Sequence, residues 1–437
     1  MIAIRAMLVI LACNGFVYAQ VYKTDYLRNY QSPNFKYALW QIGGSSRPET
    51  LDNIFILSLR DNDRSLSAGL STFFYSEKFS RKYIGTNSIF IGGSSFFRDR
   101  TLPTNVSNSK RFGAGFEWSG YNRFYSKNRF FSGLHFNNQI SWINQETKVT
   151  FPFNVENKVQ GVDLTGILVF SAGYGILEPL NYARRALDIE RVFLKENLIE
   201  GPLSKNDMDR LSHTITQALN IRVFDQRKRR IKILEMVDNS LQDLDLGITP
   251  NAKYYGNLFD LLNYNAINDR TVGRRHEFGL SNAVSYSINI IDTLNNQFSG
   301  SGSNYFFYDF TNDFPINYAW QSTTKTSLVY GQLSGIAYYG GLISHALGFY
   351  PTTRTKVALN TRIASSYHNE LGFTGSLGLS GYYYLSPQFR VQLSCAVVRD
   401  EEFVDTGINT TMINYGASRL MVNNSFRFDF SLNYQIF

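Results

Sequence analysis

The chain has 437 residues, a formal net charge of +8 and 18% charged residues, a fraction below the ~25% that is usual for soluble domains. Aromatic residues make up 15% of it, with 35 Phe and 28 Tyr, and this composition excludes a disordered or collagen-like chain. No uncharged apolar run reaches ~18 residues, which excludes a membrane-spanning helix and favours an all-β protein or a membrane barrel.

Residues 1–19 are predicted to be a secretory signal peptide. Arg5 supplies the positive charge, residues 6–12 form the apolar segment, and Val17 and Ala19 precede the cleavage site. An alternative is a lipoprotein leader of only 12 residues, with Cys13 acylated. Both interpretations predict export. After cleavage at Ala19, Cys395 is the one remaining cysteine, which excludes an internal disulfide and a cysteine-based zinc site.

The first half of the mature chain is predicted to begin the barrel. Residues 20–50 lack clean strand patterning and are predicted to be an N-terminal segment or a plug. Residues 51–175 are predicted to form a first barrel half of about six strands, because polar and apolar residues alternate there. These strands are placed near 53–61, 66–76, 87–96, 111–121, 129–142 and 159–173.

Residues 176–270 are predicted to be a helical insert. The apolar period changes there from two to 3.6, and 21 of the 62 residues from 180 to 241 are charged. Ser204 followed by Asp207 resembles a capping box. Helices are predicted over 180–198, 204–219, 224–241 and 254–264. Because an even number of strands precedes and follows this block, it is predicted to lie in the periplasm.

Residues 271–437 are predicted to form a second barrel half of about eight strands. Alternating runs of 9 to 13 residues exceed the ~5–6 of sandwich strands and suit the ~9–11 of membrane-crossing strands. Pro315, Pro351 and Pro387 are spaced by 36 residues, and aromatic residues precede each of them, as expected for turns beside an interfacial girdle. Residues 293–303 and 400–423 are predicted to be loops. The predicted fold is an all-β transmembrane barrel of about 14 antiparallel strands, with 12 or 16 as alternatives, and an α-helical periplasmic insertion.

Three segments resemble a known group of proteins. They are Gly173-Tyr-Gly-Ile-Leu-Glu-Pro-Leu-Asn-Tyr-Ala-Arg-Arg-Ala-Leu187, Phe224-Asp-Gln-Arg-Lys-Arg-Arg-Ile231, and Leu258-Phe-Asp-Leu-Leu-Asn-Tyr264 followed by Arg270 to Gly273. The sequence here is similar to that of uncharacterised Bacteroidota outer-membrane β-barrel proteins with a periplasmic helical insert. Ile176 stands where that group more often has arginine. The resemblance implies the same location and architecture, and it implies no activity.

The sequence offers little chemistry for an enzyme. There is no Gly-x-Ser-x-Gly motif, and the five histidines are scattered, so a hydrolase is disfavoured and no catalytic residue is assigned. His135 is expected to be a hydrogen-bonding group of the lumen. No cofactor and no metal site are predicted. Phe437 resembles the terminal aromatic residue that the barrel-insertion machinery recognises.

Two sets of charged residues are candidate sites. One set lies on the polar parity of the C-terminal strands and is predicted to line the lumen: Arg354, Lys356, Arg362, Arg390, Arg427 and Asp429. The other is a basic run in the insert, predicted either as a solvated helix face or as a partner-docking patch: Arg227, Lys228, Arg229, Arg230 and Lys232.

Two functions remain open. The first is a porin-like channel or transporter of the Gram-negative cell outer membrane for small polar, anionic solutes, with a positive field from the lumen arginines. The second is a non-conducting outer-membrane anchor whose periplasmic helices dock an envelope or secretion partner. The expected partners are outer-membrane lipid, the barrel-insertion machinery and that envelope partner, and nucleic acid is not expected.

Overall fold

A computed structural model of the chain describes residues 24–43, 55–60, 63–102, 105–151, 155–221, 225–244, 246–263, 270–291, 295–333, 336–368, 370–386, 389–400 and 423–434. The predicted signal peptide, the terminal Phe437 and Pro387 lie outside these residues.

Within this part of the chain, fifteen strands form one antiparallel sheet. Strands β3 to β15 have 12 to 25 residues each, which is longer than sandwich strands. The bounds are β1 Phe35–Gly43, β2 Phe55–Arg60, β3 Asp63–Phe79, β4 Tyr83–Leu102, β5 Asn105–Tyr125, β6 Phe130–Phe151, β7 Val155–Pro179, β8 Thr271–Ile291, β9 Asn295–Pro315, β10 Trp320–Leu333, β11 Ile336–Thr352, β12 Thr355–His368, β13 Glu370–Ser386, β14 Phe389–Asp400 and β15 Asn423–Tyr434.

The strand order follows the chain, except at its start. From β3 to β15 each strand pairs with the next, while β1 pairs with the second half of β3 and β2 pairs with the first half. Strands β1 and β2 therefore share one position beside β3, and the described sheet has fourteen strand positions. The predicted all-β antiparallel barrel of about 14 strands with a helical insertion is confirmed.

Residues 20–50, predicted to be an N-terminal segment or a plug without clean strand patterning, include the strand β1. Phe35–Gly43 pairs residue by residue with Ser71–Phe79. The alternation is hard to see in the sequence because apolar residues lie on both faces of β1, with Tyr37 and Leu39 on one and Trp40 on the other. Backbone pairing with β3 is sufficient to make this segment a strand.

The outer face of the sheet is apolar and exposed. Ile91 and Ile363, on strands far apart in the sheet, are 50% and 68% exposed. One such residue on each strand from β3 to β14 is given by Leu70, Ile91, Phe116, Ile140, Phe170, Ile288, Phe306, Leu328, Ile343, Ile363, Leu377 and Leu393. A continuous apolar band of this kind is typical of a barrel face that contacts lipid tails.

The opposite face is concave and forms the interior. Strands β5 and β8 are separated by two strands, which is about 14 Å along a flat sheet. Nevertheless, Arg123 of β5 bonds to Glu277 of β8, with 2.6 Å between Arg123 Nη2 and Glu277 Oε2. Such contact requires the sheet to curl toward this side.

One end of the barrel, called the turn end below, carries the short connections and the helices. Residues 80–82, 126–129, 316–319 and 353–354 link strands there, and the chain between β7 and β8 leaves the sheet at the same end. Pro315 ends β9, as predicted, whereas Pro351 lies in the second-last position of β11.

Five helices lie at the turn end among the described residues: α1 Thr24–Arg28, α2 Asn181–Lys195, α3 Lys205–Leu219, α4 Gln226–Gln242 and α5 Ala252–Asn263. None of these helices has both the length and the apolar character required to cross a membrane. Ser204 caps α3 as predicted, with its Oγ accepting from Asp207 N at 3.2 Å. One apolar cluster joins α1, α2, α3, α4 and α5 to rim residues such as Val272, Tyr318 and Ala319.

Helix α2 is buried on all sides, whereas the sequence predicted a helix with one apolar stripe. Ten of its 15 residues are buried, including Arg184, Arg185, Asp188 and Glu190. The sequence did not predict this burial, because charged side chains are usually exposed and are fully buried only when they are paired.

Two glycines shape the joint between barrel and insert. Gly175 on β7 has φ +102°, and Gly273 on β8 has φ +129°. A Cβ atom at Gly175 would lie 2.0 Å from Arg274 O, and one at Gly273 would lie 2.2 Å from Ile176 O. Both positions therefore require glycine, for conformational and for steric reasons.

Gly175→Ala is expected to destabilise the barrel by at least ~1–3 kcal/mol, because the backbone strain adds to the clash with Arg274 O. The measurement is the urea midpoint of unfolding in detergent micelles. Gly375→Ala is the matched control, since nothing lies within 4 Å of its added Cβ. Equal midpoints for the two variants would contradict the prediction.

Candidate functional site

The inner wall carries a buried charged cluster centred on Glu277 of β8. Glu277 Oε2 accepts from Arg123 Nη2 at 2.6 Å, and Glu277 Oε1 accepts from Ser171 Oγ at 2.8 Å and from His135 Nε2 at 2.8 Å. Arg275 Nε lies 3.6 Å from the same carboxylate. The side chains of Arg123 and Glu277 are 4% and 2% exposed, so the pair is shielded from solvent.

The strand register brings these residues together. Tyr121 of β5 lies opposite His135 of β6, Gly133 of β6 opposite Ser171 of β7, and Gly173 of β7 opposite Glu277 of β8. A Cβ atom at Gly133 would lie 2.0 Å from Ser171 Oγ. The glycine thus provides the space that the polar side chains occupy.

The cluster is not arranged for nucleophilic catalysis. His135 Nε2 lies 2.8 Å from the Glu277 carboxylate, which only accepts, so the ring proton is on Nε2. Ser171 Oγ lies 3.3 Å from this same nitrogen and donates its own proton to the carboxylate. An activated serine needs an unprotonated imidazole nitrogen as its acceptor. His135 instead has the hydrogen-bonding place expected from the sequence. The described residues contain no group of three or more metal-ligating side chains.

The predicted lumen cations are placed as follows. Lys356, Arg362 and Arg390 are on the inner face, where Lys356 Nζ and the Arg390 guanidinium lie 5.8 Å and 5.2 Å from the ring centre of Tyr382. The register also places Arg427 and Asp429 on this face, opposite Ala396 and Ser394. Their side chains lie outside the described residues.

Arg354 is the exception among these cations. It lies in the turn between β11 and β12, not in the wall, and pairs with Asp260 of α5. The reason is that β11 continues past Pro351 to Thr352, so only two residues remain for the turn. Arg354 therefore connects the barrel rim to the insert.

Arg354→Ala is expected to change stability by no more than ~1 kcal/mol, because the Arg354 and Asp260 side chains are 30% and 44% exposed and water screens their attraction. The urea midpoint in micelles measures this. Asp260→Ala should give the same small shift, and a loss above ~2 kcal/mol in either variant would show that this pair holds the insert.

The excess of cations predicted from the C-terminal strands does not describe the whole interior. Strands β3 to β9 contribute acidic residues to the same face, and β12 to β14 contribute no acid among the described side chains. These acidic residues are Glu77, Glu117, Asp163, Glu277, Asp309 and Asp313. Among the described side chains of the inner face, the acids therefore lie on β3 to β9, while β12 to β14 contribute the cations Lys356, Arg362 and Arg390.

The aromatic residues beside the turns also divide between the two faces. Phe314 and Tyr383 are exposed on the outer face, as the predicted girdle requires. Tyr350 and Tyr382 point inward, where Tyr350 is 5% exposed against the insert. An aromatic ring beside a turn can also stack on a buried guanidinium. Tyr350 does so, since the Arg270 guanidinium lies 5.0 Å from the centre of its ring.

Buried arginines hold α2 against the turns. Arg184 donates to Tyr318 O and, at 3.1 Å, to Tyr350 O, and its Nε lies 3.0 Å from Asp188 Oδ2. Arg270 also donates to Tyr318 O, at 2.8 Å. Two strand connections, 316–319 and the end of β11, are therefore tied to the same two guanidinium groups.

Arg185 ties α2 to α5. Its Nη1 donates to Leu261 O at 3.0 Å and Leu262 O at 2.6 Å, which are carbonyls of the last turn of α5. A cation is favourable there because the C-terminal end of a helix carries partial negative charge. Burial nevertheless lowers the pKa of Arg185 to about 10, and burial also lowers the pKa of Arg184.

The segment from Arg28, at the end of α1, to Ser32 contacts another part of the rim. Arg28 Nη2 donates to Ile316 O at 3.0 Å, and Tyr30 Oη lies 2.6 Å from Ser212 Oγ of α3. Ser32 N donates to Glu178 at the end of β7, and Arg81, in the turn between β3 and β4, pairs with Glu178. This segment thus lies between the insert and the turns.

The insert covers the turn end. A 15-residue helix is about 22 Å long, and a barrel with fourteen strand positions has a mouth about 28 Å across. The helices contact Phe35 of β1, Val272 of β8, Trp320 of β10 and Phe349 of β11, which lie at widely separated places around the rim. The helical insert therefore packs on the rim at β1 and at β8 to β11.

The basic run predicted for docking lies at the start of α4. Asp225 caps this helix by accepting from the backbone N of Arg227 and Lys228, and both of these side chains are exposed. Arg229 donates to Leu219 O at 2.7 Å and so serves the contact with α3. Arg230 is partly exposed and Lys232 is exposed.

Sequence reasoning missed the buried charges that organise the site: Arg123, Glu277, Arg184 and Arg270. For Arg184 the signal was its place among apolar residues, in Leu180-Asn-Tyr-Ala-Arg-Arg-Ala-Leu187, and for Arg270 the sequence around it gave no comparable signal. For Arg123 and Glu277 the only signal was that each lies at an inward-facing, polar position of its strand.

No protein-family model matches the sequence, and no curated protein matches it. Three solved structures that resemble it, each with 8% identity, are the ferric yersiniabactin uptake receptor FyuA from Yersinia pestis, the translocator domain of the autotransporter NalP from Neisseria meningitidis, and the CymD monoaromatic hydrocarbon channel. Their TM-scores are 0.37, 0.31 and 0.28, over 78%, 87% and 87% of this chain. The matches cover 43%, 98% and 87% of those chains, so this chain spans less than half the length of the receptor. Similarity at this level carries no information about the function of the chain.

Proposed function

We propose that the protein is an outer-membrane channel or transporter for small polar solutes that is closed at its turn end by its own helical insert. The observation that carries this proposal is an apolar outer face on β3 to β14 around a polar, charged inner face. The outer face suits lipid tails and the inner face suits water and solute. Fourteen strand positions fall between the filled eight-stranded barrels and the open 16–18-stranded ones.

The closed turn end makes this a gated channel in the proposal. A solute that enters from the other end meets α2 and its buried arginines before it can leave. Opening requires the contacts of Arg184 and Arg270 with Tyr318 O to break, or the insert to move with the turns. We place the turn end in the periplasm, where bacterial barrels have their short turns. We also propose that the barrel-insertion machinery recognises the C-terminus of the chain.

Anion preference stays a prediction. Lys356, Arg362 and Arg390 on the inner face support it, and the acidic residues of β3 to β9 oppose it. The reversal potential in a salt gradient, measured on purified protein in planar bilayers, decides the sign of the preferred ion. A cation preference would remove the anionic part of the proposal and leave the channel.

Single-channel recording tests the channel itself. We expect the full-length chain to remain closed for most of the recording and to open only to a small conductance. The reason is that the contacts between the insert and the rim must break before the channel opens. Heat-modifiable gel mobility shows whether the protein is folded. The proposal is rejected if folded protein never opens, even in the Arg184→Met variant that should release the insert.

A second function, a non-conducting anchor that docks an envelope partner, is favoured by the exposed Arg227, Lys228 and Lys232 on α4. Pull-down from envelope extracts with the wild type and with Arg227→Glu/Lys228→Glu/Lys232→Glu tests it. Loss of a specific anionic partner in the triple variant supports the anchor, and an unchanged set of partners rejects it.

A further inference from the structure

A small polar cavity lies on the inner wall beside the Glu277 cluster. Its volume is about 180 Å³, which is room for about six water molecules at roughly 30 Å³ each, or for one small cyclic solute. The inward side chains that line it include Tyr75, Ser119, Tyr121, His135 and Asn137. They come from strands β3, β5 and β6, so the cavity is built by the curl of the sheet.

Two polar atoms of side chains that line this cavity lack a hydrogen-bond partner among the described residues. They are His135 Nδ1 and Asn137 Oδ1, both buried. Because His135 Nε2 carries the proton that faces Glu277, Nδ1 of the neutral ring is an acceptor, as is Asn137 Oδ1. A buried acceptor without a donor is destabilising, so a solute that donates hydrogen bonds would be stabilised here.

The lining favours a neutral solute. No charged side chain lines the cavity, and the nearest carboxylate, Glu277, is already paired with Arg123 and Arg275. The Tyr121 ring is stacked on the His135 ring with 3.6 Å between their centres, and Tyr75 of β3 also lines the cavity. Hydroxyl groups of Ser88 and Ser119, 2.6 Å apart, add donors and acceptors.

We infer that this cavity binds a small, neutral, polyhydroxylated solute of about the size of a monosaccharide. Hydroxyl groups supply the donors that His135 and Asn137 need, and the C–H faces of a sugar ring suit tyrosine rings and the side chains of Ile167 and Val169. The inference rests on the proposed function, because a solute reaches the inner wall only through the barrel interior.

Titration of the full-length protein in micelles, followed by saturation-transfer NMR, tests the inference with D-glucose as the probe. We expect saturable binding of glucose, and at least tenfold weaker binding of gluconate and glucosamine, which carry a negative and a positive charge. Failure of glucose to bind folded wild-type protein, or gluconate or glucosamine binding as tightly as glucose, overturns the inference.

Variants locate the site. Asn137→Leu removes an acceptor and Ile167→Phe fills the cavity without changing its polarity, and each should weaken glucose binding at least tenfold. The matched control is Asn360→Leu, an asparagine on the inner face of β12 that should leave binding within twofold. Unchanged binding in both cavity variants places the solute elsewhere and overturns the inference.

Single-channel conductance on the same samples separates the two proposals. Conductance without glucose binding defeats the cavity inference and leaves the channel. Glucose binding without conductance, even after the insert is released, defeats the channel and leaves a binding site in a closed barrel.

Discussion

Glu277→Leu is expected to destabilise the barrel by about 3–5 kcal/mol, the cost of removing one partner of a buried ion pair. The substitution leaves Arg123, whose side chain is 4% exposed, without the carboxylate that it contacts at 2.6 Å. It also removes the acceptor of Ser171 and His135. The measurement is the urea midpoint of unfolding in lipid vesicles, read from gel mobility of unheated samples.

Two comparisons separate the buried pair from a general effect of losing an acid. Glu117→Leu, at an inner-face acid of β5 that is less buried, should cost less than ~1 kcal/mol. The double variant Arg123→Met/Glu277→Leu should recover part of the loss, because no guanidinium at 123 then stays unpaired. A double variant less stable than Glu277→Leu alone would mean that Arg123 has a second role that the pair does not explain.

The architecture was predictable because it depends on period and length. Alternation along residues 357–363 or 426–436 needs only one apolar face, and this pattern sufficed to predict about 14 antiparallel strands. Residues 299–303, a Ser-Gly repeat predicted as a loop, belong instead to β9, which begins at Asn295. Residues 299–303 pair with β8 beyond the apolar band, because the hydrogen bonds between two strands join backbone groups and do not require apolar side chains.

The site was less predictable because its contacts join distant parts of the chain. Arg123 and Glu277 are 154 residues apart, and their contact depends on the stagger of three successive strand pairs. The contact of Arg184 with Tyr318 O is made to a backbone carbonyl, which every residue has, so no residue type marks it. Arg354 was placed in the barrel wall because it lies on the polar parity of β12. It belongs instead to the two-residue turn that precedes β12.

Release of the insert is expected to have the largest effect on function. Arg184→Met removes the donors to Tyr318 O and Tyr350 O, which are contacts of α2 with the rim. It also leaves Asp188, 1% exposed, without its buried partner, which should destabilise the fold by about 3–5 kcal/mol. We expect the open fraction in planar bilayers to rise at least tenfold above the wild type. Faster trypsin cleavage after Arg227 to Lys232 should accompany it, because the insert then samples positions away from the turns.

Two further variants test whether the arginine acts as a latch. Arg191→Leu is the matched control, because Arg191 pairs with the same Asp188 at 3.4 Å but is 40% exposed, so its loss should leave the open fraction near that of the wild type. Arg184→Met/Asp188→Leu replaces the buried pair by apolar side chains and so avoids an unpaired carboxylate, while the turn carbonyls still lack their donor. If this double variant stays as closed as the wild type, apolar packing alone holds the insert in the mouth; if it opens, the guanidinium bonds to Tyr318 O and Tyr350 O are what keep the turn end shut.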